Sequence, residues 1–261
     1  MDRVTDNPWR RLRAFTDARI GMGRAGVSLP TRELLAFQLA HAQARDAVHL
    51  PLDVGRLVAD LAGIAGLVPA VVAASQAETR ADYLRHPDKG RRLAAGVTLT
   101  ADAPEMALVI ADGLSARAVQ EHAAAMVEAV VAALPDLRLS APVIVTQGRV
   151  AVGDDVGERI GAKAVLVLIG ERPGLSSPDS LGLYYTYAPQ VGLTDARRNC
   201  ISNVRPAGLS FAQAAARLAY LHDQAMRMAT SGVALKDRSV AQDTVAGVSR
   251  SFLSPPRGKR A

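Results

Sequence analysis

Residues 164–182, AVLVLIGERPGLSSPDSLG, constrain the fold of this chain more than any other segment. Residues 164–169 form an uncharged run that is apolar on both faces, which is typical of a parallel strand covered by helices. The run gives way at once to glycine, proline, hydroxyl and charged residues. Because ligands in open α/β sheets bind beyond the carboxyl ends of such strands, the segment predicts an α/β fold with a binding loop after residue 169.

Five polar side chains of this loop are the first candidates for a site. They are Glu171, Arg172, Ser176, Ser177 and Asp179. An ordinary exposed loop has the same mixture of glycine, proline and polar residues, so composition alone leaves this alternative open.

The composition limits the classes to which the chain can belong. With 261 residues and 49% hydrophobic content it can bury a substantial core, which argues against disorder throughout. The single cysteine, Cys200, excludes an internal disulfide and a cysteine-cluster metal site. The most membrane-like run, residues 57–74, is interrupted by Asp60 and Pro69 and predicts a buried or amphipathic helix. The N-terminal residues lack the apolar stretch of a secretory signal, so we expect a cytoplasmic protein.

The net charge of +6 raises the question of a nucleic-acid partner. Arginines cluster at residues 10–13, at residues 91–92 and near the C-terminus. Few aromatic residues are interleaved with them and no recognition motif surrounds them, so the distribution favours solvated or interface arginines and no nucleic acid. A nucleic-acid-binding protein, whose affinity falls steeply with added salt, is retained as an alternative.

Residues 1–98 are predicted to form a helical N-terminal region. Thr31 suits an N-cap position, and an uninterrupted helical pattern follows it to Leu50. A second helical zone covers residues 54–84 and is broken near Pro69.

Residues 99–232 are predicted to form a Rossmann-like domain with a parallel sheet. Apolar runs at residues 106–111, 142–146 and 164–169 alternate with helical patterns, as in parallel strands joined by crossovers. Residues 183–187 predict one more strand, and residues 199–203 fit a strand or a loop. Ser210 predicts the cap of a final helix, and residues 233–261 form a basic tail that we expect to be disordered.

Short motifs identify no catalytic set. Residues 21–26, GMGRAG, match the dinucleotide pattern G-x-G-x-x-G, but no strand precedes them and Pro30 follows at once. They therefore favour a tight glycine loop packed on another surface. The five histidines stand far apart, and the sequence has no nucleophile elbow, zinc motif or P-loop. If the chain takes part in catalysis, the reactive groups come mostly from a cofactor or a partner.

Six sequence blocks carry a resemblance to a known family. They are TDARIGMGRAG, PTRELLAFQLAHAQARDAV, VIADGLSARAVQ, GRVAVGDDVGERIGAKAVLVLIGERPGLSSPDSLG, YYTYAP and RNCISNVRPAG. Together they cover most of residues 8–232, and the chain resembles the small (light) subunit of ethanolamine ammonia-lyase. Enzymes of this family convert ethanolamine to acetaldehyde and ammonia with adenosylcobalamin.

The resemblance implies a division of labour between two chains. The large subunit contains the radical chemistry and the ethanolamine site, the small subunit closes over the cobalamin, and six such heterodimers form a heterododecamer. By position, Val150, Glu171 and Cys200 are implied to contact the cofactor. No catalytic residue and no metal ligand is implied in this chain. The sequence lacks the motif D-x-H-x-x-G, so the cobalamin is expected to keep its own base coordinated.

Two further expectations follow from the resemblance. The loop at residues 21–26 and the arginines Arg10, Arg11 and Arg13 are candidates for contacts with the large subunit. Packaging in a bacterial microcompartment is left open, because only seven residues precede Pro8, where members associated with microcompartments often have an extension. A stand-alone cobalamin- or nucleotide-binding regulatory module is the alternative function.

Overall fold

The structure is a computed structural model that describes residues 4–239. Residues 240–261, most of the tail for which we predict disorder, lie outside the described residues. The strands are β1 (Val4–Thr5), β2 (Arg24–Ala25), β3 (Val71–Ala74), β4 (Met106–Ala111), β5 (Val143–Thr146), β6 (Ala164–Gly170), β7 (Leu181–Tyr187) and β8 (Arg198–Val204). The α-helices are α1 (Thr31–His49), α2 (Val54–Ala62), α3 (Arg80–Arg85), α4 (Ala116–Ala133), α5 (Val152–Ile160) and α6 (Phe211–Met228). Short 3-10 turns occupy Pro8–Ala14, Lys89–Arg91, Asp195–Arg197 and Gly232–Ala234.

The central sheet has six strands in the order β3-β5-β4-β6-β7-β8. This arrangement confirms the α/β class, and β3, β5, β4 and β6 run parallel as predicted. The prediction of a wholly parallel sheet is wrong, because β7 pairs antiparallel with β6 and β8 pairs antiparallel with β7. The chain between β6 and β7 contains no helix. A parallel return needs a crossover of a dozen or more residues, usually a helix, so this connection can only close an antiparallel pair.

The first 98 residues are not purely helical. Helices α1, α2 and α3 lie there, but β3 (Val71–Ala74) joins the central sheet beside β5, so our helical interpretation is wrong for residues 71–74. Pro69 excludes a continuous helix, and β-branched Val71 and Val72 fit the pleated edge of the sheet. The boundary that we predict at residue 98 therefore falls inside one continuous sheet.

Apolar side chains on both faces of the sheet form the core. One face packs against α2, α4 and α6, around residues such as Leu166, Met126 and Leu218. The other face packs against α5, around residues such as Val167 and Val156. Strands β4 and β6 are buried at every residue, as their uncharged sequences predict. Among the helices of residues 4–239, none combines the length and the apolar character needed to cross a membrane.

Residues 4–50, which we term the arm, contribute no strand to the central sheet, although Arg80 donates to the Val48 carbonyl at 2.6 Å. Strands β1 and β2 form a separate two-stranded sheet. Helix α1 begins at Thr31, and the capping position belongs to Pro30 without a side-chain cap, so Thr31 is not the cap that we predict. The tight glycine loop packs on its own arm, because a Cβ at Gly21 would lie 2.6 Å from the backbone nitrogen of Arg10. A Cβ at Gly23 would likewise lie 2.6 Å from the carbonyl oxygen of Thr5, so contacts within the arm account for the first two glycines without a dinucleotide.

Candidate functional site

The site lies at a topological switch point of the sheet. The chain passes from β4 to β5 on one side and then returns to β6 on the other, so the carboxyl ends of β4 and β6 open into a common crevice. Gly113, just after β4, has a φ of +58°, and a Cβ there would lie 2.3 Å from the carbonyl oxygen of Gly170. The two strand-end loops thus meet backbone to backbone, which only glycine permits at residue 113.

A cavity of about 450 Å³ opens at this crevice. Its lining comes from one helix, three loops and three strands: Tyr83, Gly113, Leu114, Arg149, Val150, Ile169, Gly170, Glu171, Arg172, Tyr184 and Ser202. Two of the three residues implied by the resemblance, Val150 and Glu171, therefore share one cavity. Cys200 does not line it, but lies on β8 directly beside Tyr184, which does.

Neutral donors hold the carboxylate of Glu171. The Ser202 hydroxyl donates to Oε1 at 2.5 Å and the Ser180 hydroxyl donates to Oε2 at 2.5 Å. The backbone N–H of Asn203 also donates to Oε2, at 3.2 Å. No arginine or lysine of residues 4–239 forms an ion pair with Glu171. Glu171 is therefore not the partner of the adjacent Arg172.

Val150 is placed by its neighbour Arg149. The Arg149 backbone N–H donates to the Gly90 carbonyl at 2.7 Å, and its guanidinium donates to the Tyr83 carbonyl at 2.9 Å. The Tyr83 ring lies near two guanidinium carbons, 4.5 Å from that of Arg149 and 4.7 Å from that of Arg80. Burial raises the pKa of the Tyr83 hydroxyl to about 12, so this phenol is neutral at physiological pH. The stack fixes the loop from which Val150 faces the cavity.

Cys200 forms a pair with Tyr184 on the solvent-facing side of β7 and β8. The two residues lie directly opposite each other on adjacent antiparallel strands. Loss of hydration raises the pKa of the Cys200 thiol, an effect that the Tyr184 hydroxyl partly offsets. The thiol therefore stays protonated and suits a compact, mildly polar wall rather than a nucleophile. Cys200 and Ser202 are both exposed, so this face of β8 is open beside the cavity.

Asp112 is a buried carboxyl directly under the crevice. It is 3% exposed, accepts from the Gly148 backbone N–H at 3.1 Å, and lies 3.8 Å from the Arg80 guanidinium. Burial raises the pKa of Asp112, while the surrounding N–H groups and Arg80 act to lower it. Its contacts join the loops after β4 and β5, which indicates a scaffolding role.

The far end of the predicted binding loop is anchored away from the cavity. Asp179 accepts from Arg205 at 3.2 Å and lies 3.4 Å from Nε2 of His122. Burial acts to raise the pKa of Asp179, but its own backbone N–H, His122 and Arg205 outweigh this and lower it. Glu121, His122 and Asp179 bring ligand-type atoms within 4.8 Å of one another. Since Arg205 already neutralises Asp179, this cluster is better suited to fixing the loop than to holding a cation.

Not every residue suggested by the sequence reaches the cavity. Glu171 and Arg172 line it, whereas Ser176, Ser177 and Asp179 do not. Tyr83, Arg149 and Ser202 line it without having been predicted. Ser202 shares the outward face of β8 with Cys200, two residues away, so alternation along that strand was the available signal. Tyr83 had no such signal, because its partner Arg149 is 66 residues away in the sequence.

These features define a small α/β protein with a ligand crevice and no catalytic cluster of its own among the described residues. Comparison with known proteins identifies its family. The family model described as "Ethanolamine ammonia-lyase light chain (EutC)" matches residues 6–236. A protein of Ralstonia nicotianae named ethanolamine ammonia-lyase small subunit is 56% identical over 262 residues, covering 96% of this chain and 95% of that protein. The proteins of the same name from Azotobacter vinelandii (90% of each chain covered) and Xanthomonas campestris pv. campestris (95% of this chain and 96% of the relative) are 54% and 52% identical.

The chain belongs to the ethanolamine ammonia-lyase light-chain family, as the sequence blocks indicated. It is thus a subunit of a lyase, and the small-subunit name of its relatives implies a large partner subunit.

Proposed function

We propose that this chain helps to bind adenosylcobalamin at the interface with the catalytic large subunit of ethanolamine ammonia-lyase, which converts ethanolamine to acetaldehyde and ammonia. One observation carries the proposal. Val150 and Glu171, from loops after different strands, line a single cavity at the switch point, and Cys200 lies on the open sheet face beside it.

The chemistry of the cavity suits this cofactor. Cobalamin has a broad apolar ring system edged by neutral carboxamides, so its partner needs scattered acceptors, donors and close backbone rather than a charge cluster. Glu171 supplies an acceptor, and Val150 supplies apolar surface and backbone groups. The open face of Tyr184, Cys200 and Ser202 offers a wall for a flat ligand.

When bound, adenosylcobalamin supplies the radical chemistry, and this chain contributes binding and orientation. None of the five histidines, all of which lie within the described residues, lines the cavity. This favours a cofactor that keeps its own base coordinated. The protonated Cys200 thiol and the neutral Tyr184 phenol offer no charge to the neutral ring system.

The proposed contact with the large subunit is based on the surface of the arm. Large apolar side chains are concentrated on its surface, with exposures such as 67% for Trp9, 75% for Phe15 and 61% for Leu39. Arg10 and Arg13 pair with Glu33 within the arm and remain partly exposed, so their contact with the large subunit stays a prediction, as does that of Arg11. We propose that the apolar surface of the arm docks on the large subunit, within an assembly of six heterodimers. A cytoplasmic location, free or in a microcompartment, belongs to the same proposal.

The test is co-purification with a large subunit of this family followed by an acetaldehyde assay with and without adenosylcobalamin. We expect activity only with both chains and the cofactor. Replacing Glu171 by Ala should raise the KM for adenosylcobalamin about 10-fold or more, because a hydrogen bond to a charged group is lost. Glu128→Ala is the matched control, since Glu128 is exposed on α4 and outside the cavity.

Other outcomes have definite meanings. An unchanged KM in Glu171→Ala would remove Glu171 from the cofactor site. A monomeric chain that binds cobalamin or a nucleotide tightly without the large subunit would favour the stand-alone regulatory module.

A further inference from the structure

The Glu171 carboxylate has almost all of its acceptor capacity filled by its own chain. A carboxylate offers about four lone-pair positions. Ser180 and the Asn203 N–H take both positions on Oε2, whereas Ser202 takes one of the two on Oε1. One acceptor position therefore remains, and it is on Oε1.

The backbone around Glu171 restricts its side chain to one orientation. The Glu171 N–H donates to the Ser180 carbonyl at 2.9 Å, which closes the base of the loop. A Cβ at Gly182 would lie 2.9 Å from Oε1 and 3.0 Å from Cγ of Glu171, so the side chain lies flat on β7 where only a hydrogen fits. Ser180 is 5% exposed, and its hydroxyl is held inside the loop.

The donors that surround Glu171 are all neutral. Two hydroxyls and one backbone N–H orient the carboxylate without cancelling its charge, as an arginine would. The remaining position on Oε1 is thus a strong acceptor. It suits a neutral N–H donor and repels a second carboxylate.

We propose that Ser180 and Ser202 are positioning residues that hold the Glu171 carboxylate with the free position of Oε1 directed into the cavity, where it selects a carboxamide N–H of the ligand. This inference rests on the proposed function, in which that carboxamide belongs to the edge of the corrin ring. It assigns Ser180 and Ser202 a role that the sequence did not suggest.

The experiment is a mutant cycle on the complex with the large subunit. Ser202→Ala should raise the KM for adenosylcobalamin about 5-fold, and Ser180→Ala/Ser202→Ala about 10-fold, with kcat at saturating cofactor within about twofold of the unmodified complex. Ser202→Thr keeps the hydroxyl and should restore most of the affinity. Ser176→Ala, in the same loop but outside the cavity lining, is the control and should behave as the unmodified protein.

The decisive comparison repeats Ser202→Ala in a Glu171→Ala background. A residue that acts through Glu171 has no further effect there, whereas a residue with an independent structural role raises the KM equally in both backgrounds. A cobalamin analogue with one ring carboxamide hydrolysed to a carboxylate should also bind more weakly to the unmodified complex, and this penalty should shrink in Glu171→Ala.

The outcomes separate the two proposals. If Glu171→Ala raises the KM but the serine variants leave it unchanged, the positioning role is wrong and the cofactor site stands. If Glu171→Ala itself has no effect, both fall. Circular dichroism and melting temperature of each variant establish that it is folded, and exposed Ser202 gives a valid test even if the buried Ser180 variant does not fold.

Discussion

The central sheet and the arm differ in how they bury their apolar side chains, although one chain forms both. In the sheet, β4 and β6 are buried at every residue and the helices α4 and α6 supply large apolar side chains. In the arm, the turn Pro8–Ala14 buries no residue, and α1 buries three alanines and Glu33 while Leu35 and Leu39 stay exposed. Burial of apolar surface drives folding, so the sheet has its core within the chain and the arm has much of its apolar surface still to bury.

The largest expected loss of stability comes from breaking the buried ion pair of Arg198 and Asp154, which lies in the sheet region. Two bonds of 2.7 Å join them, and their side chains are only 3% and 2% exposed. Arg198→Met leaves a buried carboxylate without its partner and should cost about 3–5 kcal/mol in the free energy of unfolding, measured with urea. Arg227→Met breaks the exposed pair with Asp223 and is the control, at about 0–1 kcal/mol. Equal losses in the two variants would contradict the prediction.

The next prediction compares the truncation of a buried leucine of the sheet with that of an exposed leucine of the arm. Leu166 on β6 is 0% exposed, and Leu35 on α1 is 58% exposed. Leu166→Ala should lower the free energy of unfolding by about 2–5 kcal/mol, because it leaves a cavity in the core. Leu35→Ala should change it by about 0.5 kcal/mol or less, yet weaken recovery of the large subunit in co-purification. If Leu35→Ala destabilises the isolated chain strongly, or leaves co-purification intact, the arm is not an open docking surface.

The same contrast explains what the sequence could predict of the fold. The sequence could predict strands β4, β5 and β6 and helix α4, because each has a clear apolar pattern. The residues of each segment indicate by themselves which positions are buried. The four-residue β3 was not, because VVAA becomes a strand only by pairing with Val143–Thr146. Nor could the direction of β7 be derived from its own residues, since it depends on the length and content of the preceding loop.

The residues of the site also fall into those that the sequence could predict and those that it could not. Glu171 was predictable, because it follows directly after a buried strand at a switch point. The Tyr83 stack and the Ser180 and Ser202 contacts were not, since they join residues that only the folded chain brings together. Nor did the sequence indicate that Arg10 and Arg13 pair with the buried Glu33.

The smallest expected effect on stability concerns Glu33, whose ion pairs with Arg10 and Arg13 join two segments of the arm. Glu33 is 7% exposed and accepts from two nitrogens of Arg13, at 3.2 and 3.3 Å. The Arg13 hydrogen bonds, helped by the charges of Arg13, Arg10 and Arg32, lower the pKa of Glu33 below its ordinary value of 4.5, and burial only partly opposes them. Since the folded-state pKa is the lower one, the stabilisation is fully present above pH 4.5 and is lost as the pH falls through the folded-state value.

Trp9, the only tryptophan of the chain, lies in the arm and can report this change by its fluorescence. We expect an acid transition in the tryptophan signal before the far-ultraviolet circular dichroism of the sheet and helices changes. Glu33→Gln should remove the separate transition and give a constant signal over the same range, while Glu128→Gln on α4 should retain it. Coincident transitions of the two signals in the unmodified chain would mean that the arm and the sheet unfold as one unit, and the distinction between them would then fail as a statement about stability.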